Sequence, residues 1–539
     1  METIESITIL GGRGKDGQPE PVERVDLRMG DVVSIVGPTG SGKTTLINDI
    51  ELFAQANTQT GRRVLINGSL APAECRDNPA RNPIALMKGL ATRLLAALAV
   101  LAALSSAGVA AEGTEAEAKQ TCPICSLKDS VNKLLPGVTW GADLRLRAVY
   151  DEARTLDQHA TGHDRFWSLY RARVWTKITP VENVDFNIRV VTEPRVFCRP
   201  DMEEQTIRQE ALFDLLNVKW SKVLDTPLTL TVGRQELKFG DGWLVINGTP
   251  LDGTRTLFFD AVRATYDAQA IKTVFDLVTL YNQANSSAWI RPFNDRNLDL
   301  AENDEIGVIL YGSNKSVKDT TIDGYFMYKN DDRVAERGDD ADIYTFGARV
   351  AGALDEHWKY VAEAAPQWGH KNGVNICAFG ANSDLAYNFN DPHKNLLHSG
   401  YEFKSGSGER DGAFDPLWGR YPLWSNLYAD SIAGLEFLPD QVSNLHRLTT
   451  GWGFNPCQKM TFALDYSLLF ANQNTFADRS GFSEEGKFRG QLVKGVLEHV
   501  MNEHLTGQVI AELFAPGNYY DDTRNDVALF LRYQLTVTW

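Results

Sequence analysis

The chain ends in a segment that few folds can use. In LFLRYQLTVTW, residues 529–539, Leu531, Tyr533, Leu535, Val537 and Trp539 alternate with Arg532, Gln534, Thr536 and Thr538. A period of two gives a strand one continuous apolar face and one polar face. The pattern returns from Trp140 onward. In GADLRLRAV, Ala142, Leu144, Leu146 and Ala148 oppose Asp143, Arg145 and Arg147, and in YRARVW, Tyr170, Ala172 and Val174 oppose Arg171 and Arg173. Further on, Val184, Phe186, Ile188 and Val190 oppose Asp185, Asn187 and Arg189; Val262, Ala264 and Tyr266 oppose Arg263; Tyr344, Phe346, Ala348 and Val350 oppose Arg349. Polar clusters at 329–340 and 404–412 suit long solvent loops. No stretch approaches the roughly 20 apolar residues of a membrane-spanning helix, which excludes a polytopic helical membrane protein. Strands that alternate lipid-facing and lumen-facing residues escape that test, and a terminal aromatic on such a strand marks the closing strand of a bacterial outer-membrane β-barrel. Trp140, Trp167, Trp175, Trp220, Tyr325, Tyr328 and Trp358 lie near predicted strand ends, where an interfacial girdle is expected.

The first part of the chain speaks a different language. Leu94–Leu104 reads LLAALAVLAAL, preceded by Lys88 and Arg93 and followed by SSAGVAA ending at Ala111. A basic start, a short apolar run and small residues at Val109 and Ala111 predict a signal peptide over 87–111, cleaved before Glu112. The competing reading is a buried Ala/Leu-rich helix. Upstream, DVVSIV at Asp31–Val36 predicts a buried strand, and GPTGSGKTT follows, with Gly37, Gly42, Lys43 and Thr44 at the positions of a phosphate-binding loop. There backbone N–H groups would curl around phosphates, Lys43 would reach the outer ones and Thr44 would ligate magnesium, so ATP–Mg is the cofactor to expect of this fragment if it folds. GDVVSIVGPTGSGKTTL with TGRRVLING at Thr60–Gly68 resembles the opening of an ATP-binding cassette. No LSGG-type signature and no apolar strand ending in Asp-Glu follows, so hydrolysis is not expected, and so few strands make a marginal core. Residues 1–86 are therefore expected to be the head of a different gene product or upstream read-through, absent from the mature protein. The functional alternative, a nucleotide-sensing appendage, would have to reach the cytosol.

Charge and cysteines narrow the partners. Lys and Arg number 54 against 70 Asp and Glu, and the whole excess of 16 negative charges falls after residue 110. That balance argues against nucleic acid as partner. In CPIC, Cys122 and Cys125 are followed by Ser126, so covalent haem attachment through C-x-x-C-H is excluded and a local disulfide is preferred to zinc. Cys198, Cys377 and Cys457 have no assigned pairing. No catalytic triad or paired-carboxylate motif is present, so neither an enzyme nor a metal or cofactor in the barrel is expected.

Arginine on the polar face suits a polyanion. A uronate polymer carries a carboxylate on every residue, and each guanidinium is a permanently charged planar fork that can hold one while its neighbour offers the next site. Many weak sites in a row allow release. The competing role for the same arginines is to pair with Asp143, Asp185 or Glu193 and brace the wall. LTVGRQELKFGDGWLV at Leu230–Val245, FFDAVRATY at Phe258–Tyr266 and YEFKSGSGERDGAFDPLWGRYP at Tyr401–Pro422 resemble the alginate export family of outer-membrane porins over residues 140–539. The resemblance implies an all-β, monomeric barrel of about 18 antiparallel strands, with 112–139 as a periplasmic lead-in segment. It also implies an arginine-lined lumen that passes an alginate-like polyuronate or other organic anion, with an acidic residue or periplasmic loop modulating passage. Outer-membrane lipid, the barrel-assembly machinery and the anionic polysaccharide are the implied partners. Arg234 and Arg263 fall on the family's motif and join Arg145, Arg147, Arg171, Arg173, Arg189 and Arg349 as candidate substrate ligands. Strict alternation from Leu230 and Val232 aims Arg234 at lipid, so it reaches the pore only if Gly233 marks a bulge. The alternatives from other classes are an outer-membrane partner of secreted redox proteins, suggested by CPIC, and a nucleotide-binding protein acting through the phosphate loop.

Overall fold

The computed structural model describes residues 6–13, 22, 24–28, 46, 49, 54 and 61–70 of one compact unit. In a second unit it describes 137–152, 164–199, 211–246, 258–284, 290–293, 303–334, 338–419, 422–432 and 442–539. The phosphate-loop residues Gly37, Gly42, Lys43 and Thr44, the leader and the Cys122/Cys125 pair lie outside the described residues. In the first unit Ser6–Leu10 pairs antiparallel with Arg24–Arg28 on one side and Arg63–Ile66 on the other, and Ser69–Leu70 follows Arg63–Ile66. Asn67 and Gly68 both take positive φ (50° and 77°), as a two-residue hairpin that matches strand twist requires.

The second unit is a closed antiparallel barrel. Strands run consecutively from Val138–Glu152 to Ala528–Thr538, and the last pairs with the first from Leu529↔Glu152 to Thr538↔Asp143. Val184–Thr192 and Arg195–Arg199 both pair with Asp164–Val181 and act as one interrupted stave. The wall therefore has 18 staves. Closure leaves no unpaired edge in lipid, where an open strand edge would strand its backbone polar groups.

Period two sorts the side chains as expected. Tyr170, Val174, Val262, Tyr266, Phe346 and Leu448 stand exposed on the outer face, while Arg145, Arg147, Asp143 and Arg532 on the opposite parity are buried within the barrel. Three of the expected girdle aromatics do not join it. Trp167 and Tyr325 are buried inside at 1% and 6% exposure, and Trp175 covers the gap at Gly141 from within. Their positions share parity with the inward arginines, which closeness to a strand end does not reveal.

One end carries turns of two to seven residues and the other nearly all the long loops. In outer-membrane barrels the short-turn end is periplasmic, and both the first strand's start and Trp539 lie there. At the opposite end the described loop segments 236–246, 405–419 and 422–432 fold into the barrel and carry apolar side chains inward. Trp243 stacks on Phe414 at 5.6 Å, Phe239 on Tyr311 at 4.6 Å, and Trp418 donates its backbone N–H to Leu244 O at 3.0 Å. Wall residues pin these segments. Lys371 binds Asp415 at 3.0 Å, and the Gln367 side chain bonds both backbone groups of Asp415. Burial alone would raise the Asp415 carboxyl, but Lys371, Lys329 and the Leu417 N–H hold it below the ordinary carboxylate range. The Glu512 carboxylate accepts from Ser425 Oγ and from the N–H groups of Asn426 (2.9 Å) and Leu427 (3.1 Å). Asp151 accepts from Ser431 and Arg165, and Arg489 donates to Tyr428 Oη at 3.0 Å.

Candidate functional site

Beneath the inward loops the lumen retains two cavities. One, of about 460 Å³, is lined by Arg145, Arg147, Arg171, Arg532 and Lys494 together with Gln508, Gln534 and Thr536. Five cations share it, and its lining includes no carboxylate among the described residues. Strand register makes this cluster: Arg145 is opposite Arg171 on one neighbour and Thr536 on the other, and Arg147 is opposite Gln534. Neutral amides orient two of the guanidinium groups. Arg147 Nε donates to Gln534 Oε1 at 2.6 Å and Arg532 Nη2 to Gln508 Oε1 at 2.7 Å, contacts that fix direction without adding an opposing formal charge.

The second cavity, about 300 Å³, is of mixed sign: Asp384, Glu402 and Asp465 face His398, Lys404 and Arg447. His398 spans two carboxylates, Nδ1 to Asp384 at 2.9 Å and Nε2 to Asp465 at 2.8 Å. Lys494 lines both cavities and donates from Nζ to Trp424 O at 3.1 Å. The Pro422–Trp424 segment therefore meets the wall where the two spaces adjoin.

The structure divides the candidate arginines into two groups. Arg145, Arg147 and Arg171 reach the basic cavity; Arg145 also lies 3.8 Å from Glu193, and Arg171 lies 3.7 Å from Asp143. The others form tight ion pairs. Arg173 binds Asp143 at 2.6 Å, Arg263 binds Asp276 at 2.7 Å, and Arg349 bridges Asp241 (2.8 Å) and Asp323 (2.9 Å). Arg189 holds Asp214 at 2.9 Å and also Glu236 at the start of an inward loop. Arg234 departs from the pore-lining expectation. Gly233 has φ 117°, yet pairing runs unshifted through it on both sides, so Arg234 keeps the outward parity of Val232. It is 1% exposed, paired with Asp260 at 2.7 Å and lies under the Phe258 ring.

Sequence reasoning did not single out Lys494, Arg532, Arg447, Lys404 or His398. Arg532 sits on the polar row of the terminal strand, where the signal was available. Lys494 shares its inward row with Leu492 and Val496, and that mixture erases the polar alternation. Cys198, Cys377 and Cys457 are exposed free thiols.

The family described as alginate export matches residues 138–533, from the first strand of the barrel into the last. The chain belongs to the alginate export family. As a member of that family with a closed barrel and an apolar outer belt, it is a bacterial outer-membrane channel. Among solved structures it is similar to Pseudomonas aeruginosa OccK5 (OpdH), at 11% identity over 74% of this chain and 97% of that one, TM-score 0.48. Acinetobacter baumannii OccAB4 is similar at 9% identity over 75% and 98%, TM-score 0.49. The N-terminal part is 51% identical over 82 residues to an uncharacterized ABC transporter ATP-binding protein, MJ0121, of Methanocaldococcus jannaschii. That match takes in 15% of this chain and spans 31% of the length of the archaeal protein.

Proposed function

We propose that this alginate-export barrel conducts an anionic polysaccharide of the polyuronate class, or other organic anions, outward through its lumen. The single observation behind this reading is the cavity that gathers Arg145, Arg147, Arg171, Arg532 and Lys494, with no carboxylate among the described residues of its lining. Several cations of similar strength in one wide space favour a sliding polyanion over a trapped one, because no single site is deep. Arg145, Arg147 and Arg171 act as substrate ligands in this reading, and Arg532 and Lys494 extend the set. Arg173, Arg189, Arg234, Arg263 and Arg349 serve the wall instead, each in a close ion pair with a buried carboxylate. The test is ion selectivity of the purified barrel in planar bilayers under a salt gradient, followed by block with oligouronates. Anion preference and block by oligouronate at lower concentration than by neutral oligosaccharide are expected. Cation preference would overturn the reading.

A further inference from the structure

The lipid-facing wall carries a recess that the channel does not explain. Gly312 and Gly324 are directly opposite each other on neighbouring strands, both on the outward parity. With no side chain at either position, the outer surface sinks into a groove of about 460 Å³, walled by Tyr266, Phe275, Leu310 and Phe326. A Cβ added at Gly324 would meet nothing within 4 Å, so the recess is open space and not a site of close strand packing. Tyr266, Phe275 and Leu310 are 46%, 46% and 47% exposed, large apolar side chains turned outward around it.

Its depth sets the leaflet. Gly312 stands two residues above the end of Asn303–Asn314, and Phe275 two residues above the start of Thr273–Asn282, both at the short-turn end. Lys315 and Lys272 directly flank those strand ends and are exposed. Lys315 donates its backbone N–H to Lys272 O at 2.9 Å, which couples the two turns. Between them Asn314 Nδ2 donates to Thr273 Oγ1 at 2.7 Å, and Lys318 in the same turn is 93% exposed along its side chain. Each flanking lysine is three residues from the groove, roughly 10 Å along a strand. That is the reach between a lipid phosphate and the upper part of its acyl chains.

We propose that this groove is a binding site for one anionic glycerophospholipid of the periplasmic leaflet. An acyl chain lies across Gly312 and Gly324, and the phosphate sits against Lys272 and Lys315. Apolar surface of lipid and wall is buried together, and a basic pair at the membrane interface supplies the headgroup preference.

Native mass spectrometry of the full barrel, delipidated and then titrated with phosphatidylglycerol or phosphatidylethanolamine of the same chain length, tests this. The unaltered protein should retain one phosphatidylglycerol through detergent exchange, with at least a tenfold preference over phosphatidylethanolamine. Gly324→Leu fills the recess and should lose the retained lipid. Lys272→Ser with Lys315→Ser should abolish the preference while one lipid of either kind still binds. Equal retention of both lipids by the unaltered barrel, or undiminished retention by Gly324→Leu, would overturn the proposal. If Gly324→Leu fails to assemble, Leu310→Trp narrows the same groove from its wall and gives the same readout. Bilayer selectivity is measured on the same variants and should not change, which keeps this result separate from the channel reading.

Discussion

Replacing Arg145 and Arg147 together with alanine should weaken anion selectivity without unfolding the barrel. Both lie on one inward row of Val138–Glu152 and both line the basic cavity. A carboxylate about 8 Å from a guanidinium, at an effective dielectric near 20, gains about 2 kcal/mol, which screening at 0.1 M salt roughly halves. Removing two such groups therefore costs an anion in the cavity about 2 kcal/mol, or a factor of roughly 30 in occupancy. Arg171, Arg532 and Lys494 remain, so selectivity should fall and not invert. Arg349→Ala is the contrasting change. It leaves Asp323 buried without its partner and should cost about 3–5 kcal/mol in stability with little effect on selectivity. Reversal potentials under a salt gradient measure the first effect, and the temperature at which the folded band is lost on electrophoresis measures the second. An unchanged reversal potential in the Arg145/Arg147 variant would refute the argument, because it would mean that the fields of these arginines do not reach the conducting path.

Three further outcomes follow from the same structure. Glu512→Ala removes the acceptor for the Ser425 hydroxyl and the N–H groups of Asn426 and Leu427; at about 1–3 kcal/mol per stranded buried donor, the inward segment should detach. Single-channel conductance should then rise while the barrel stays heat-modifiable, and an unchanged conductance would show that this segment is not held by Glu512. Deleting Trp539, whose N–H donates to Ala142 O at 2.9 Å at the seam of the barrel, should block membrane assembly but leave export to the periplasm intact, as membrane fractionation would show. The mature protein should begin at Glu112, and intact mass of the outer-membrane species checks this directly; a mass that includes residues 1–86 would contradict it.

What could be read from the chain, and what could not, follows from the range of the interactions. Alternation is local: two residues of spacing suffice to say that Tyr170, Ala172 and Val174 share a face against Arg171 and Arg173, and closure into a barrel follows once every strand needs both a lipid side and a lumen side. Parity does not name partners. The same inward placement lets Arg173 and Arg263 be neutralised by Asp143 and Asp276, while Arg147 and Arg532 bond the neutral Gln534 and Gln508. Those outcomes depend on register between strands, and for Arg147 and Gln534 the separation is 387 residues. The inward loops are further from reach because their anchors, Glu512 for Ser425 and Asp151 for Ser431, lie 87 and 280 residues away. Arg234 shows the limit from the other side. A positive-φ glycine beside it permits a bulge, but a bulge also requires the neighbouring strands to shift, and the pairing of Gly233 with Ala261 and Asn217 runs on unshifted. The lumen's character is therefore set less by how many arginines the strands carry than by which of them register brings into close contact with a carboxylate. For that reason selectivity is the property that should respond most to the Arg145–Arg147 group, which lines the basic cavity, while the tightly paired arginines should act mainly on stability.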